Sequence, residues 1–277
     1  MKGFRVILFL VAITLSAGLV KGLNSTEYLH YVAQSDSLIE ADNWPEAETM
    51  VIKALRCEPG NPANQLLFCN LGMILTTQGK YGEAIRALDN AVILNPGSFI
   101  AYKNRGKAYS AMQRLGDAAD DFTKALAIDS TDTSVRCLRA TVYACSSDYE
   151  RAFKDYTSVL EMDRDNTAAL DGIANCCIAL GNQDQAIPFL NRLIELSPQP
   201  EHYFNRGLSL AQLGRLSEAS EDVSSGLLMD PANGNLWLLR AYIEKISYRH
   251  NDAKSSLAKA RKYGADSELE YQLLPDM

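Results

Sequence analysis

The chain has 277 residues, 47% hydrophobic and 22% charged, with 27 Lys and Arg against 34 Asp and Glu for a formal net charge of −7. That apolar fraction builds an ordinary packed core, whereas the acidic balance speaks against nucleic acid, whose phosphates are neutralised by clustered Lys and Arg. The histidines His30, His202 and His250 share no metal-ligand or acid–base spacing with each other or with the six cysteines, so no metal, cofactor or catalytic residue is expected.

At the N-terminus, Lys2 and Arg5 precede an almost wholly apolar run, Val6 to Leu15, and small residues follow at Ser16-Ala-Gly18 and Val20-Lys-Gly22. This order reads as a secretory signal peptide over residues 1–22. The apolar run is shorter than the ~20 residues of a bilayer span, so the mature chain is expected to carry no integral membrane span. Export to a periplasm or cell envelope is the expectation, with an uncleaved N-terminal anchor as the alternative. Cleavage after Gly22 removes three basic residues and leaves the mature chain more acidic still.

From there to the C-terminus one unit recurs. Ala47, Ala84, Ala118, Ala152, Ala186, Ala219 and Ala253 follow one another at intervals of 37, 34, 34, 34, 33 and 34 residues. Twelve residues before each stands Ser35, Gly72, Gly106, Ala140, Ala174, Gly207 or Ala241, always small, and seven after stand Ala54, Ala91, Ala125, Val159, Leu193, Gly226 and Ala260. Small columns of this kind let two helices approach to roughly 8–10 Å. Apolar residues at three- and four-residue spacing, such as Ala84, Ile85, Leu88, Ala91 and Val92, mark amphipathic helices. Acids open the second helices, from Glu46 and Glu83 to Asp252, where the helix dipole favours them. Pro59, Pro96, Pro198 and Pro231 end them. Ser130 and Arg164 stand in the same column, and Pro188 is expected in the first turn of its helix. The units run over about 28–61, 65–98, 99–132, 133–166, 167–199, 200–233 and 234–264 in one solenoid domain, residues 23–264. After them, residues 265–277 are expected to form a cap, a short helix started by Asp266 and stopped by Pro275.

The unit resembles the tetratricopeptide repeat, most fully in Ala101-Tyr-Lys-Asn-Arg-Gly-Lys-Ala-Tyr109 and Leu115-Gly-Asp-Ala-Ala-Asp-Asp-Phe-Thr-Lys-Ala-Leu126. The resemblance implies an all-α fold, a right-handed α-solenoid of helix-turn-helix repeats with a short C-terminal capping helix. It also implies that the first helices line a recognition surface. Stacking supplies the physical reason, since no helix pair buries its apolar face alone.

Two polar sets need sorting. Arg105, Arg139, Arg206 and Arg240 stand thirteen residues before their alanines, and Asp121, Asp155 and Asp222 stand three after. Where Leu71 replaces the arginine, Ala87 replaces the aspartate. Columns that change together read as a salt bridge between paired helices, leaving Arg240, opposite Ser256, as the candidate free cation. Cys57, Cys69, Cys137, Cys145, Cys176 and Cys177 contain no Cys-x-x-Cys, and their registers suit buried or half-buried free thiols. A bridge from Cys145 to Cys176 or Cys177 is the alternative.

Fifteen and eleven residues before each alanine, the first helices present the candidate protein-binding groove: Lys103 and Lys107, Thr141, Asn175, Phe204 and Leu208, Leu238 and Tyr242. Chaperone-binding members of the family grip a terminal carboxylate with Lys and Asn on successive inner helices. In this chain Lys103 is followed by Lys107 rather than Asn, and the next units offer Cys137 and Asp171, which departs from that clamp. The expected function is an exported, noncatalytic adaptor binding a protein or peptide segment through an acidic part and apolar anchors. The alternatives are a structural subunit of a cell-envelope assembly using its convex or end surfaces and, more weakly, an enzyme or carbohydrate-acting accessory.

Overall fold

A computed structural model describes residues 25–276, and the expected signal peptide lies outside them. The described residues are all-α. The helices are α1 Thr26–Glu40, α2 Trp44–Cys57, α3 Asn64–Thr77, α4 Tyr81–Leu94, α5 Phe99–Ala111, α6 Leu115–Ile128, α7 Thr133–Cys145, α8 Tyr149–Met162, α9 Thr167–Ala179, α10 Gln183–Leu196, α11 Pro200–Gln212, α12 Leu216–Met229, α13 Gly234–Ile246, α14 His250–Lys262 and α15 Ser267–Leu273. They fall into two compact units, divided between Ser130 and Thr131. The first holds the hairpins α1–α2, α3–α4 and α5–α6; the second holds α7–α8, α9–α10, α11–α12, α13–α14 and the short α15.

Local chemistry sets the helix starts. Ser98, Asp132, Asn166 and Asn233 each accept a hydrogen bond from the backbone N–H three residues on, at 3.2, 2.7, 3.1 and 3.1 Å, which satisfies an otherwise orphaned donor. Asp132 and Asn166 restart the chain after Ser130 and Arg164, so those turns form without the proline seen elsewhere. Within each hairpin the turn closes at one fixed position, five residues before the repeat alanine. Gly79, Gly181 and Gly214 have φ of 76–77° there, and Asp42, Gln113, Ser147 and Tyr248 take the same left-handed conformation at 55–61°. The next residue's N–H reaches back five residues, as in Asn43 to Leu38 at 2.9 Å and Arg215 to Leu210 at 2.9 Å. That bond is the Schellman closure of a helix C-terminus.

Packing explains the small columns. All seven repeat alanines are fully buried. An added Cβ at Gly72 would lie 2.3 Å from Leu88 Cγ, one at Gly106 2.7 Å from Phe122 Cε1, and one at Gly226 2.7 Å from Leu236 Cδ1. The longer first step is held by polar bonds. Tyr28 donates to Asn64 Oδ1 at 3.1 Å, Asn64 Nδ2 donates to the Glu58 carbonyl at 2.7 Å, and the Ser25 N–H donates to the Glu58 carboxylate.

The first helices also meet one another along each unit, α3 against α5, α7 against α9 and α11 against α13. At the C-terminus Asp266 accepts from the N–H groups of Glu268 and Leu269 at 2.9 and 3.0 Å, and Leu274 is buried against Leu238, Leu257 and Ala260. Pro188 differs from its expected place: it is the sixth residue of α10, past the first turn, and the helix runs on through it.

Candidate protein-binding faces

Lys103 and Lys107 belong to the first unit and the other six expected groove residues to the second, so each set is a face of its own unit. On α5, Lys103 is half-buried with Nζ 5.5 Å from the Phe99 ring centre, and Lys107 is exposed one turn later. In the second unit Thr141 and Asn175 are exposed, whereas Phe204, Leu208 and Tyr242 are half-buried. Leu238 is a correction: it is 0% exposed, sealed beneath α15, and touches no solvent. Periodicity places it in the inner row, but the cap covers the end of that row.

Hydrogen bonds order the second unit's face. Thr141 Oγ1 donates to the Cys137 carbonyl and meets the Tyr156 hydroxyl, both at 2.9 Å. Burial pushes the Tyr156 hydroxyl up to about 12. Asn205 Nδ2 donates to Asn175 Oδ1 at 3.5 Å, and Asn175 Nδ2 donates to Asp171 Oδ2 at 3.1 Å, which joins α11 to α9. His202 Nδ1 bonds the Ser197 carbonyl at 2.8 Å. Burial raises the Asp171 carboxyl above its ordinary value, with His202 pulling the other way. Asn205 and His202 were not flagged by the two inner columns; Asn205 lies one residue beyond them, next to Phe204.

The arginine column is structural in three hairpins. Arg105 holds Asp121 through two bonds of 2.7 and 2.9 Å, Arg139 holds Asp155 at 2.7 and 2.8 Å, and Arg206 holds Asp222 at 2.9 and 2.6 Å. Arg240, as expected from Ser256 in the aspartate column, pairs with no carboxylate among the described residues. It stacks 5.3 Å from the Trp237 ring and reaches Ser224 Oγ at 3.4 Å, while Ser256 donates to buried Glu244 at 2.7 Å. In the fifth hairpin both columns turn apolar, to Ile173 and Phe189. These line an open cleft of about 450 Å³ with Phe153 and Leu160, and Thr157 Oγ1 in it has no hydrogen-bond partner.

All six cysteines are free thiols. Cys69, Cys176 and Cys177 are buried, Cys57 and Cys137 half-buried, and Cys145 is exposed, outside the expected range. Burial pushes the thiols of Cys69, Cys137 and Cys176 up to about 11, which keeps them protonated and unreactive at neutral pH. No cluster of metal ligands occurs among the described residues, and none of their helices is long and apolar enough to cross a membrane.

Two models of one family, described as tetratricopeptide repeat, match residues 69–133 and 146–205. The chain is built from tetratricopeptide repeats. A tetratricopeptide repeat protein from Parabacteroides merdae superposes with a TM-score of 0.67 at 25% identity, over 91% of this chain and 98% of that one. YrrB, a TPR protein with an unusual peptide-binding site, shares the repeat fold with a TM-score of 0.57 at 24% identity, over 67% of this chain and 96% of that one. Among curated relatives, human tetratricopeptide repeat protein 6 is 25% identical over 70% of this chain and 38% of its own length. The Hsp70-Hsp90 organizing protein of Triticum aestivum is 31% identical over 36% of this chain and 17% of its own. The chain thus spans well under half the length of these two relatives, and what it shares with them is the repeat.

Proposed function

We propose that this chain is a noncatalytic adaptor whose first-helix faces hold a segment of a partner protein. The observation that carries the reading is Phe204, Leu208 and Tyr242 standing half-buried on α11 and α13, with Asn205 next to Phe204 reaching Asn175 on α9 and the exposed Thr141 on α7 of the same unit. Large apolar anchors in a polar surround are what interfaces use for affinity. Lys103 and Lys107 serve an acidic stretch of a partner on the first unit. Similarity to a protein named for organizing Hsp70 and Hsp90 supports a role in joining proteins.

The test selects peptides from a random display library on the immobilised full chain. Phe204→Ala is expected to weaken the selected peptides by more than ~1 kcal/mol. Phe204 also packs against the core, so thermal unfolding is measured on the same variant. Unchanged affinity in a folded but destabilised variant makes Phe204 a core residue and overturns the reading.

A structural subunit using the outer helices is the second reading, favoured by Leu228, 85% exposed at the end of α12 beside Met229. Export belongs to the proposal and rests on the sequence of residues 1–22. Purified protein beginning near Leu19 or Leu23 is the expected result of N-terminal sequencing, and intact Met1 in a soluble cytoplasmic fraction overturns it.

A further inference from the structure

Most carboxylates that bond side chains in this protein face a cation. Asp121, Asp155 and Asp222 each take two bonds from an arginine; Asp117, Asp148 and Glu218 pair with an arginine three residues away; Asp165 takes Arg192 and Glu270 takes Arg261. Asp171 differs. It is half-buried on α9, its hydrogen bond comes from the neutral amide of Asn175, and no Lys or Arg among the described residues pairs with it.

A carboxylate offers about four acceptor sites, and one here is filled. Partial burial disfavours the ionised form and raises the Asp171 pKa, with His202 on α11 pulling the other way without bonding the carboxylate. The approach of a cation relieves that cost. The relay from Asn205 through Asn175 fixes the amide on one side of the carboxylate. Apolar Phe204 and Leu208 rise from the next first helix, α11. The two inner columns of the second unit read Cys137, Thr141, Asp171, Asn175, Phe204, Leu208, Leu238 and Tyr242. Asp171 is the one formal charge in them.

Resting on the adaptor reading, we propose that the segment held on the second unit's first-helix face carries a lysine or arginine that pairs with Asp171, flanked by apolar side chains seated on Phe204 and Leu208. The sign is opposite to the lysine-bearing face of α5. Charge complementarity commits the site to a basic, apolar protein segment; an acidic one would meet a carboxylate with no Lys or Arg paired to it.

The experiment repeats the display selection on the full wild-type chain and on Asp171→Asn, which removes the charge and keeps the side chain's shape. Peptides enriched on the wild type are expected to share a Lys or Arg beside Leu, Ile, Met or Phe. Synthetic copies should lose about tenfold in affinity on Asp171→Asn, and as much on the wild-type chain when their own lysine is changed to Gln. The two losses should not add when combined. The peptide-side change uses only the wild-type chain, so its outcome does not depend on the folding of the variant. Peptides with no cationic preference, or equal affinity for Asp171→Asn, overturn this proposal and leave the adaptor reading standing. A wild-type chain that enriches no peptide overturns both.

Discussion

Arg139 meets Asp155 through two near-parallel hydrogen bonds, with the carboxylate side chain only 7% exposed and the guanidinium 17%. Removing one partner strands the other out of water, so Arg139→Ala alone should cost about 3–5 kcal/mol. Urea denaturation of the two single alanine variants and the double should show a coupling of about 0.5–3 kcal/mol, whereas strict additivity would return Arg139 to the candidates for ligand binding. This pair was legible in the sequence because two columns change together, Leu71 with Ala87 in the second hairpin and Ile173 with Phe189 in the fifth. That Arg240 lacks a carboxylate was legible from Ser256 in the aspartate column. What holds each was not: Arg240 stacks on Trp237, and Ser256 is engaged by Glu244, a residue of α13 outside both columns. Leu238 was misplaced for a similar reason: spacing fixes the side of a helix a residue occupies, and only the chain folded over that side decides whether water reaches it.

At the level of the helix, the repeat alanines located every hairpin, because small residues at a crossing leave a periodic trace. The turns left a weaker one. Asp42, Gln113, Ser147 and Tyr248 adopt a backbone conformation that glycine takes in the sister turns, so residue type hides a geometry that the five-residue back-bond imposes. Pro188 shows the same limit for helix starts. As the sixth residue of α10 it has no N–H to give the Asp184 carbonyl, yet its side chain is exposed and packs into no core. Pro188→Ala should therefore raise stability by about 1–3 kcal/mol in urea. An unchanged or lowered midpoint would show that the ring's fixed φ outweighs the missing bond.

Within each unit a repeat leans on its neighbours, and the last repeat of the second unit is covered by α15 on its far side. The sequence shows seven similar units but carries little sign of the division between Ser130 and Thr131, since the residues there obey the repeat's own rules apart from Ser130 in the proline column. The closing helix was legible, through Asp266 and the leucines after it. Its anchorage is firmer than its length suggests: Arg261 bonds Glu270 at 2.7 and 2.9 Å, the Asp266 N–H donates to Asn235, and Gly234 leaves room for the Ala265 backbone, which would lie 2.5 Å from an added Cβ. That helix covers the apolar side of the last hairpin. A chain stopped at Gly264 would bare Leu238 and Leu257 as an apolar edge, and exposed apolar patches drive self-association. Light scattering should then find a mass that grows with concentration, and a truncated chain that stays monomeric would show that the cap is not needed to cover that edge. A helix of seven residues thus keeps an apolar edge out of water.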